Sequence, residues 1–463
     1  MQTKGYNEMN IIIVGCGKVG IELVRHLCRE NHDIVVIDEN KEKVEDLIND
    51  YDIMGICGNG ACCDTLEEAN VEKCSIFIAT TASDELNILC CMVARKMKAR
   101  HCIARVRNPS YAEQLVFMRE ELGLSMMVNP EYQAAEEIAR ILHYPSAINI
   151  ESFGRGRVDL AEFAITEDNI LNGQALSSMS TILKMKVLIC AVQRGEEIYI
   201  PDGTFVLRAG DKIHFTAAHD QLPKFFRAVN AEQNRVKTVL LIGGGKVSYY
   251  LAQMLSEEHS MKVKLIEIDK ERCVALSDNL PNTEVIYGDG SDQDILLEEG
   301  ITRMDACVTL TGIDEENIIL SMYAKKMGVR KVITKVNRLT LYSILNNNFE
   351  LGSIVSPKAI TANMILQYVR ARQNSGGSNI MTLYRLVDEK VEAIEFSVAH
   401  DASYVGVPLQ ELKLRKNLLI ASIIRGKQQI IPNGKDIIMV HDSVVVVTTN
   451  QFMQDLKDIF EIG

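Results

Sequence analysis

Apolar runs of four or five residues recur along the chain, each followed by a turn and then by a helical pattern. Near the N-terminus Ile11-Ile12-Ile13-Val14 is such a run, and Ile34-Val35-Val36-Ile37 is the next. Short continuous apolar runs alternating with amphipathic stretches predict strands buried on both faces, hence a parallel sheet covered by helices on both sides. Strands are expected near 11–14, 34–38, 53–56, 76–79, 102–106 and 126–128, with helices that include 84–97 and 110–121. Right-handed crossovers turn this order into an α/β, Rossmann-like, doubly wound parallel-sheet domain. A helix over 131–143 leads out of it, with Ile138, Ile141 and Leu142 on one side. That face fits either the core or a partner subunit.

Residues 151–228 have a different texture. Short strands are expected at 161–165, 187–192, 197–200 and 212–216, separated by the turns Pro201-Asp202-Gly203 and Ala209-Gly210-Asp211. This is a small α+β module.

The whole arrangement then occurs again. Val239-Leu240-Leu241-Ile242-Gly243-Gly244-Gly245-Lys246-Val247-Ser248 repeats the pattern of 11–20, and Val263-Lys264-Leu265-Ile266-Glu267 repeats the acid-ended strand. Cys57-Gly58-Asn59-Gly60 matches Tyr287-Gly288-Asp289-Gly290; Thr81, Asp84, Glu85 and Asn87 match Thr311, Asp314, Glu315 and Asn317. Asn129-Pro130 matches Ser356-Pro357; these pairs lie 227 to 230 residues apart, and the modules repeat at an offset of 231. The chain is thus a tandem duplication. Its divisions are expected at 9–129 and 236–356 (Rossmann-like domains), 130–150 and 357–379 (connecting helices, the second with a linker), and 151–230 and 380–463 (small modules). Gln373-Asn374-Ser375-Gly376-Gly377-Ser378-Asn379 is the most linker-like stretch and the expected hinge.

Composition narrows the class. The formal charge of −12 argues against nucleic acid as a partner, and no apolar stretch approaches the length of a membrane span. The polar first ten residues hold no signal-peptide core, so a cytoplasmic location is expected. Most of the 12 cysteines sit in apolar contexts, such as Cys28, Cys74, Cys90, Cys91, Cys190 and Cys307, and read as reduced and buried. Cys57, Cys62 and Cys63 instead flank a predicted loop near the first glycine-rich turn.

That turn, Gly15-Cys16-Gly17-Lys18-Val19-Gly20, carries the chemistry. In a strand–turn–helix setting G-x-G-x-x-G cradles a pyrophosphate: the first glycine makes the turn, the second lets the backbone approach, the third lets the helix pack. Asp38 ends the second strand, where it accepts ribose hydroxyls. The carboxyl ends of the strands bring Asn59, Thr80, Thr81, Arg105 and Arg107 to the same crevice, and two guanidinium groups there suit a polyphosphate. The second half keeps the acid as Glu267. It carries Lys335 and Asn337 for the two arginines, and Ser248 for the third glycine, which is expected to move the helix away from the sheet. A triphosphate or diphosphate is therefore expected to prefer the first crevice, and the second is expected to suit a dinucleotide or to bind weakly. No H-E-x-x-H or G-x-S-x-G is present, none of the nine histidines holds an equivalent place in both halves, and Asp211 and Asp442 read as turn-formers. No metal site or catalytic residue is expected. A nucleotide site without an acid–base partner fits a sensor better than an enzyme, the alternative being an NAD-dependent oxidoreductase with a duplicated Rossmann fold.

On Ile12-Ile13-Val14-Gly15-Cys16-Gly17-Lys18-Val19-Gly20, Ile103-Ala104-Arg105-Val106-Arg107, Val263-Lys264-Leu265-Ile266-Glu267 and Gly288-Asp289-Gly290-Ser291-Asp292, in their tandem order, the chain resembles the TrkA family. These are two-copy regulatory subunits of bacterial Trk potassium uptake systems, with RCK (KTN) nucleotide-binding domains each followed by a TrkA_C domain. The resemblance implies a cytoplasmic ring, tetrameric, peripheral on the inner face of the membrane. It implies an integral potassium-translocating partner of TrkH or TrkG type, and gating by ATP, ADP or NAD(H). The family's contact positions fall on Gly15, Cys16, Gly17, Lys18, Val19, Asp38, Thr80, Thr81 and Arg105. In the second half they fall on Gly243, Gly244, Gly245, Lys246, Val247, Glu267, Thr311 and Lys335.

Overall fold

The computed structural model describes residues 9–30, 32–108, 111, 121–144, 149–153, 158–218, 221–229, 236–257, 261–338, 352–373, 380–386, 390–398, 402–426, 428–450, 453 and 455–461. The first half opens with β1 (Asn10–Val14), β2 (Asp33–Asp38), β3 (Met54–Cys57), β4 (Ile76–Ala79), β5 (His101–Arg105) and β6 (Met126–Val128). Their spatial order is β3-β2-β1-β4-β5-β6, and every pair is parallel. Helices α1 (Lys18–Cys28), α2 (Lys41–Asp50), α3 (Cys63–Glu68) and α4 (Asp84–Lys96) fill the crossovers, and α5 (Pro130–His143) leads out. The apolar runs are explained by two cores, one on each face. Ile11, Ile13 and Val36 pack with Leu23 and Leu27 of α1; Ile12, Val14 and Phe77 pack with Cys90 and Cys91 of α4.

The module that follows holds β7 (Asn149–Phe153), β8 (Val158–Ala164), β9 (Leu188–Arg194), β10 (Glu197–Tyr199) and β11 (Lys212–Ala218), with the short helices α6 (Met179–Leu183) and α7 (Leu222–Ala228). The sheet is antiparallel, in the order β10-β9-β11-β8-β7. The sequence pattern did not announce β7.

The second half repeats both sheets. Strands β12 (Thr238–Ile242), β13 (Lys262–Glu267), β14 (Thr283–Tyr287), β15 (Ala306–Thr309), β16 (Lys331–Lys335) and β17 (Ser353–Val355) take the order β14-β13-β12-β15-β16-β17. They are joined by α8 (Lys246–Glu257), α9 (Lys270–Asn279), α10 (Gln293–Glu298) and α11 (Asp314–Lys326), and α12 (Pro357–Gln373) leads out. Strands β18 (Ile380–Leu386), β19 (Val391–Ser397), β20 (Leu418–Arg425), β21 (Gln428–Ile430) and β22 (Ser443–Thr448) form the last sheet, in the order β18-β19-β22-β20-β21. The helix expected over 110–121 and the hinge expected over 373–379 lie almost wholly outside the described residues.

The chain divides across its repeat. One compact unit is Met1–Ile138 with Thr238–Val369; the other is Ala139–Lys237 with Arg370–Gly463. In the first unit the connecting helices are exchanged. Ala362, Ile365, Leu366 and Val369 of α12 join the core of the first sheet, and Lys358 Nζ lies 3.1 Å from Glu22 Oε2 of α1. Reciprocally, Tyr132 of α5 meets Tyr250 of α8 edge-on at 5.4 Å between ring centroids, and Asn129 Nδ2 donates to the Tyr250 hydroxyl at 2.8 Å. The start of α5 thus reaches the other half of the same chain, and Ile138, Ile141 and Leu142 farther along it are buried. In the second unit the two antiparallel sheets share a core of Val158, Leu160 and Cys190 with Ala393, Val445 and Val447, and Thr216 Oγ1 donates across it to Ala421 O at 3.2 Å.

Candidate functional site

Both glycine-rich turns lie at the carboxyl ends of a central strand, where the strand order reverses. In the first, Gly15 has φ +99°, and a Cβ there would lie 2.8 Å from Thr81 N. Glycine is demanded twice, by dihedral and by space. A Cβ at Gly17 would meet nothing within 4 Å, so this backbone faces open space, and exposed Lys18 stands beside it. A Cβ at Gly20 would lie 2.1 Å from Gly15 O, so the third glycine clears the turn's own carbonyl rather than the sheet. Cys16 and Val19 are buried in the core, so only their backbones border the turn. Asp38 is committed to that backbone: Oδ2 accepts from Cys16 N at 2.7 Å and Oδ1 from Asn40 N at 2.8 Å.

The cations converge on the turn between β4 and α4. The Arg105 guanidinium donates to Thr81 O, Arg107 Nε donates to Asp84 Oδ1 at 3.3 Å, and Arg107 also donates to Ala82 O. Asn87 Oδ1 accepts from Thr81 N (2.7 Å) and Oγ1 (2.8 Å), while its amide donates to Arg105 O at 2.9 Å. Asn87 thereby ties β4 to β5 beneath the crevice.

The second crevice is built on the same plan. Gly243 has φ +99°, Gly245 faces open space and Lys246 is exposed. Val247 is buried, like Val19. Gly244 N donates to Glu267 Oε2 at 2.6 Å, and Asp269 N to Oε1 at 2.8 Å. The longer acid folds back under its own turn and is only 5% exposed. Asn317 repeats the clamp, accepting from Thr311 N at 2.8 Å and donating to Lys335 O at 3.1 Å. Ser248 is fully buried and gives its hydroxyl to Gly243 O. In the first half that bond comes from Thr80, whose Oγ1 donates to Gly15 O at 3.2 Å, and the counterpart of Thr80 is Leu310. The serine is thus not a defect in the turn; the hydroxyl has moved from strand end to helix.

Electrostatics link the crevices. Glu131, at the start of α5, lies in the field of Arg107 and Arg105 of its own half and of Lys246 of the other, but burial outweighs them and raises its pKa. Burial, with Arg107 next, lowers that of Arg105; burial also lowers that of Lys335, whose ammonium donates to Leu310 O at 3.0 Å. Arg105 Nε and Glu131 Oε2 are buried without a hydrogen-bond partner. A half-buried guanidinium whose buried Nε has an unspent donor favours an anionic ligand.

Comparison with known proteins agrees with this architecture. The TrkA-N domain model matches residues 11–130 and 239–357, and the TrkA-C domain model matches 160–230 and 393–461. The chain belongs to the TrkA family. It is 32% identical to Trk system potassium uptake protein TrkA homolog 1 of Methanosarcina mazei, across 98% of this chain and 100% of that protein. It is 29% identical to Trk system potassium uptake protein TrkA of Vibrio alginolyticus, across 98% and 99%. Among solved structures, the GsuK RCK domain superposes with a TM-score of 0.62 at 17% identity, covering 96% of this chain and 93% of that one. The GsuK channel bound to NAD gives 0.62 at 18%, covering 96% and 77%. These likenesses show the tandem RCK fold. Among the described residues no helix is long and apolar enough to cross a membrane.

The TrkA-C domains hold their own recurring pair. Asp211 is fully buried and takes both Nε and a terminal nitrogen of Arg194 at 2.7 Å; Asp442 does the same with Arg425 at 2.9 and 2.8 Å. These acids hold turns, Asp211 also accepting from Arg208 N at 2.8 Å. Three residues of the TrkA-N crevices were given no site role by sequence reasoning. Asn87 and Asn317 were visible only as repeat partners. Glu131 had one signal: its counterpart after the matching proline is Lys358, a reversal of charge between the halves.

Proposed function

We propose that the chain is the nucleotide-sensing regulatory subunit of a Trk-type potassium uptake system. It works as a tetrameric ring on the cytoplasmic face of the membrane, bound to an integral potassium-translocating subunit of TrkH or TrkG type. Gly15–Val19, Asp38, Thr80, Thr81, Arg105 and Arg107 hold ATP or ADP. Gly243–Val247, Glu267, Thr311 and Lys335 hold a second nucleotide, with NAD(H) favoured because Lys335 gives a single charge where Arg105 gives a fork. The observation that carries the reading is the pair of matching crevices in one compact unit, where Arg105 Nε and Glu131 Oε2 are buried without a hydrogen-bond partner and Glu131 lies in the field of cations from both halves. Phosphate charge arriving at either crevice is felt at the other, so ligands bias how the halves sit rather than undergo reaction. The NAD-bound GsuK channel supports nicotinamide nucleotides as ligands. Ring assembly is supported by apolar residues left exposed at matching positions, Leu89 and Met92 on α4 and Ile319 and Met322 on α11.

Potassium flux into vesicles holding the membrane partner and this chain tests the reading, with ATP, ADP and NADH added in turn. Flux should change with nucleotide while the nucleotide is recovered intact. Flux indifferent to all three, or steady oxidation of NADH, would overturn it.

A further inference from the structure

The two crevices differ most at the rim beyond the ribose acid. In the second, β13 and β14 run in register with Glu267 opposite Tyr287, and Gly288 N donates to Glu267 O at 2.9 Å. Ile268 follows Glu267 directly. Tyr287 is 63% exposed and Ile268 64%, so two large apolar side chains stand in water where adjacent strands end. In the first crevice the equivalent places hold Cys57 and Glu39, with Asp38 opposite Cys57. Cys57 Sγ donates to Glu39 O at 3.6 Å, and Asn59 Nδ2 donates to Glu39 Oε1 at 3.0 Å. Asn59 Oδ1 is taken by Ala61 N at 2.8 Å. One amide N–H of Asn59 and one oxygen of Glu39 remain to meet a ligand's hydrogen-bonding edge. The counterpart of Asn59 is Asp289, whose Oδ1 is absorbed by Ser291 N and Oγ, both at 2.8 Å.

We propose that Tyr287 and Ile268 form a base-stacking shelf for the second crevice, which accepts a nucleobase by its flat face, whereas Glu39 and Asn59 make the first crevice discriminate between bases. In open α/β sheets the ligand lies over the carboxyl ends of the strands. A nucleotide with its phosphates on Gly243–Lys246 and its ribose near Glu267 carries its base towards the next strand end, which is Tyr287. Every base has a π-face, so stacking tolerates any of them, whereas hydrogen bonding to an edge selects. The occupant assigned here is the base of the nucleotide proposed above, and the inference rests on that reading. The shelf is continuous with the turn and acid that would hold the rest of the same molecule. A protein docked on this edge would also cover Val274 and Leu297, which are exposed nearby in sequence.

Calorimetric titration of the intact chain with ADP, GDP and CDP tests this, each crevice being isolated by a carboxylate placed in the other turn. Gly17→Glu leaves the second crevice to be read and Gly245→Glu the first. With the first blocked, the three nucleotides should bind within about threefold of one another. Tyr287→Ala should weaken all three about 10- to 100-fold, and Tyr287→Phe should hold within about threefold. With the second blocked, Glu39→Gln or Asn59→Ala should shift the ratio of ADP to GDP affinity about tenfold. If Tyr287→Ala leaves binding unchanged while Gly245→Glu removes one of the two binding events, the shelf is refuted and the nucleotide site stands. If Gly245→Glu removes no binding event, the nucleotide reading of the second crevice fails and takes the shelf with it. A change in oligomer mass for Tyr287→Ala, without a change in affinity, would assign the shelf to a protein contact and overturn the proposal.

Discussion

The relocated hydroxyl gives the sharpest test of how the two turns are built. In the second half Ser248 donates to Gly243 O, and Leu310 stands where the first half has Thr80. Ser248→Gly strips the carbonyl of that hydroxyl in a buried site, at about 1–3 kcal/mol. A glycine in place of serine near the helix start adds about 0.5 kcal/mol. Leu310→Thr alone exchanges a side chain only 3% exposed for one that is smaller and polar, at about 1–2 kcal/mol. The double substitution Ser248→Gly with Leu310→Thr recreates the first-half arrangement, in which Thr80 Oγ1 reaches both Gly15 O (3.2 Å) and Val14 O (3.3 Å). The two changes should therefore be less than additive, with a coupling of about 1 kcal/mol or more. Native-state hydrogen exchange of the β12 and β15 amides reads this locally, which matters in a chain of several domains where one global unfolding energy is ill defined. Additivity within about 0.3 kcal/mol would refute the exchange of roles. The converse, Gly20→Ser in the first half, should destabilise by about 1–3 kcal/mol, because its Cβ would lie 2.1 Å from Gly15 O with Thr80 already in place.

Burial tends to raise the Glu22 pKa, but His26, Lys358 and Arg25 outweigh it and hold the group down to about 2 from 4.5. A carboxylate lowered on folding contributes above its unfolded pKa and loses that contribution as pH falls. Exchange protection at the α1–α12 contact should thus decline between about pH 5 and pH 2, and Glu22→Gln should flatten the decline while costing about 1–3 kcal/mol at neutral pH. Arg105→Ala should weaken ATP binding about tenfold or more and Lys335→Ala distinctly less; equal losses by calorimetry would remove the asymmetry between the crevices. Arg194→Ala strands the fully buried Asp211, so the first TrkA-C domain should lose about 3–5 kcal/mol, read as a lowered thermal transition, and Asp211→Asn should restore part of it.

The strands and their repetition were legible in the linear pattern. A run such as Ile11-Ile12-Ile13-Val14 must bury both faces, and alternating residues of it do enter different cores. Gly15 and Gly243 were legible because φ +99° excludes a side chain wherever such a turn is made. The offset near 230 residues fixed two of everything, and the Arg–Asp pairs of the TrkA-C domains follow it faithfully. The rest depends on which distant surfaces meet once the chain has folded. Nothing in the linear order says that Ile365 and Leu366 of α12 lie on the first sheet rather than their own. Nor does spacing reveal that Asp38 and Glu267 spend two carboxylate contacts each on backbone N–H groups, or that Ser248 answers for Thr80. Glu131 belongs to this second class as well. The charges that act on it, Arg105 at the end of β5, Arg107 just after it and Lys246 on α8, come from both halves, and a residue's charge environment is set by an arrangement in space that the linear order does not encode.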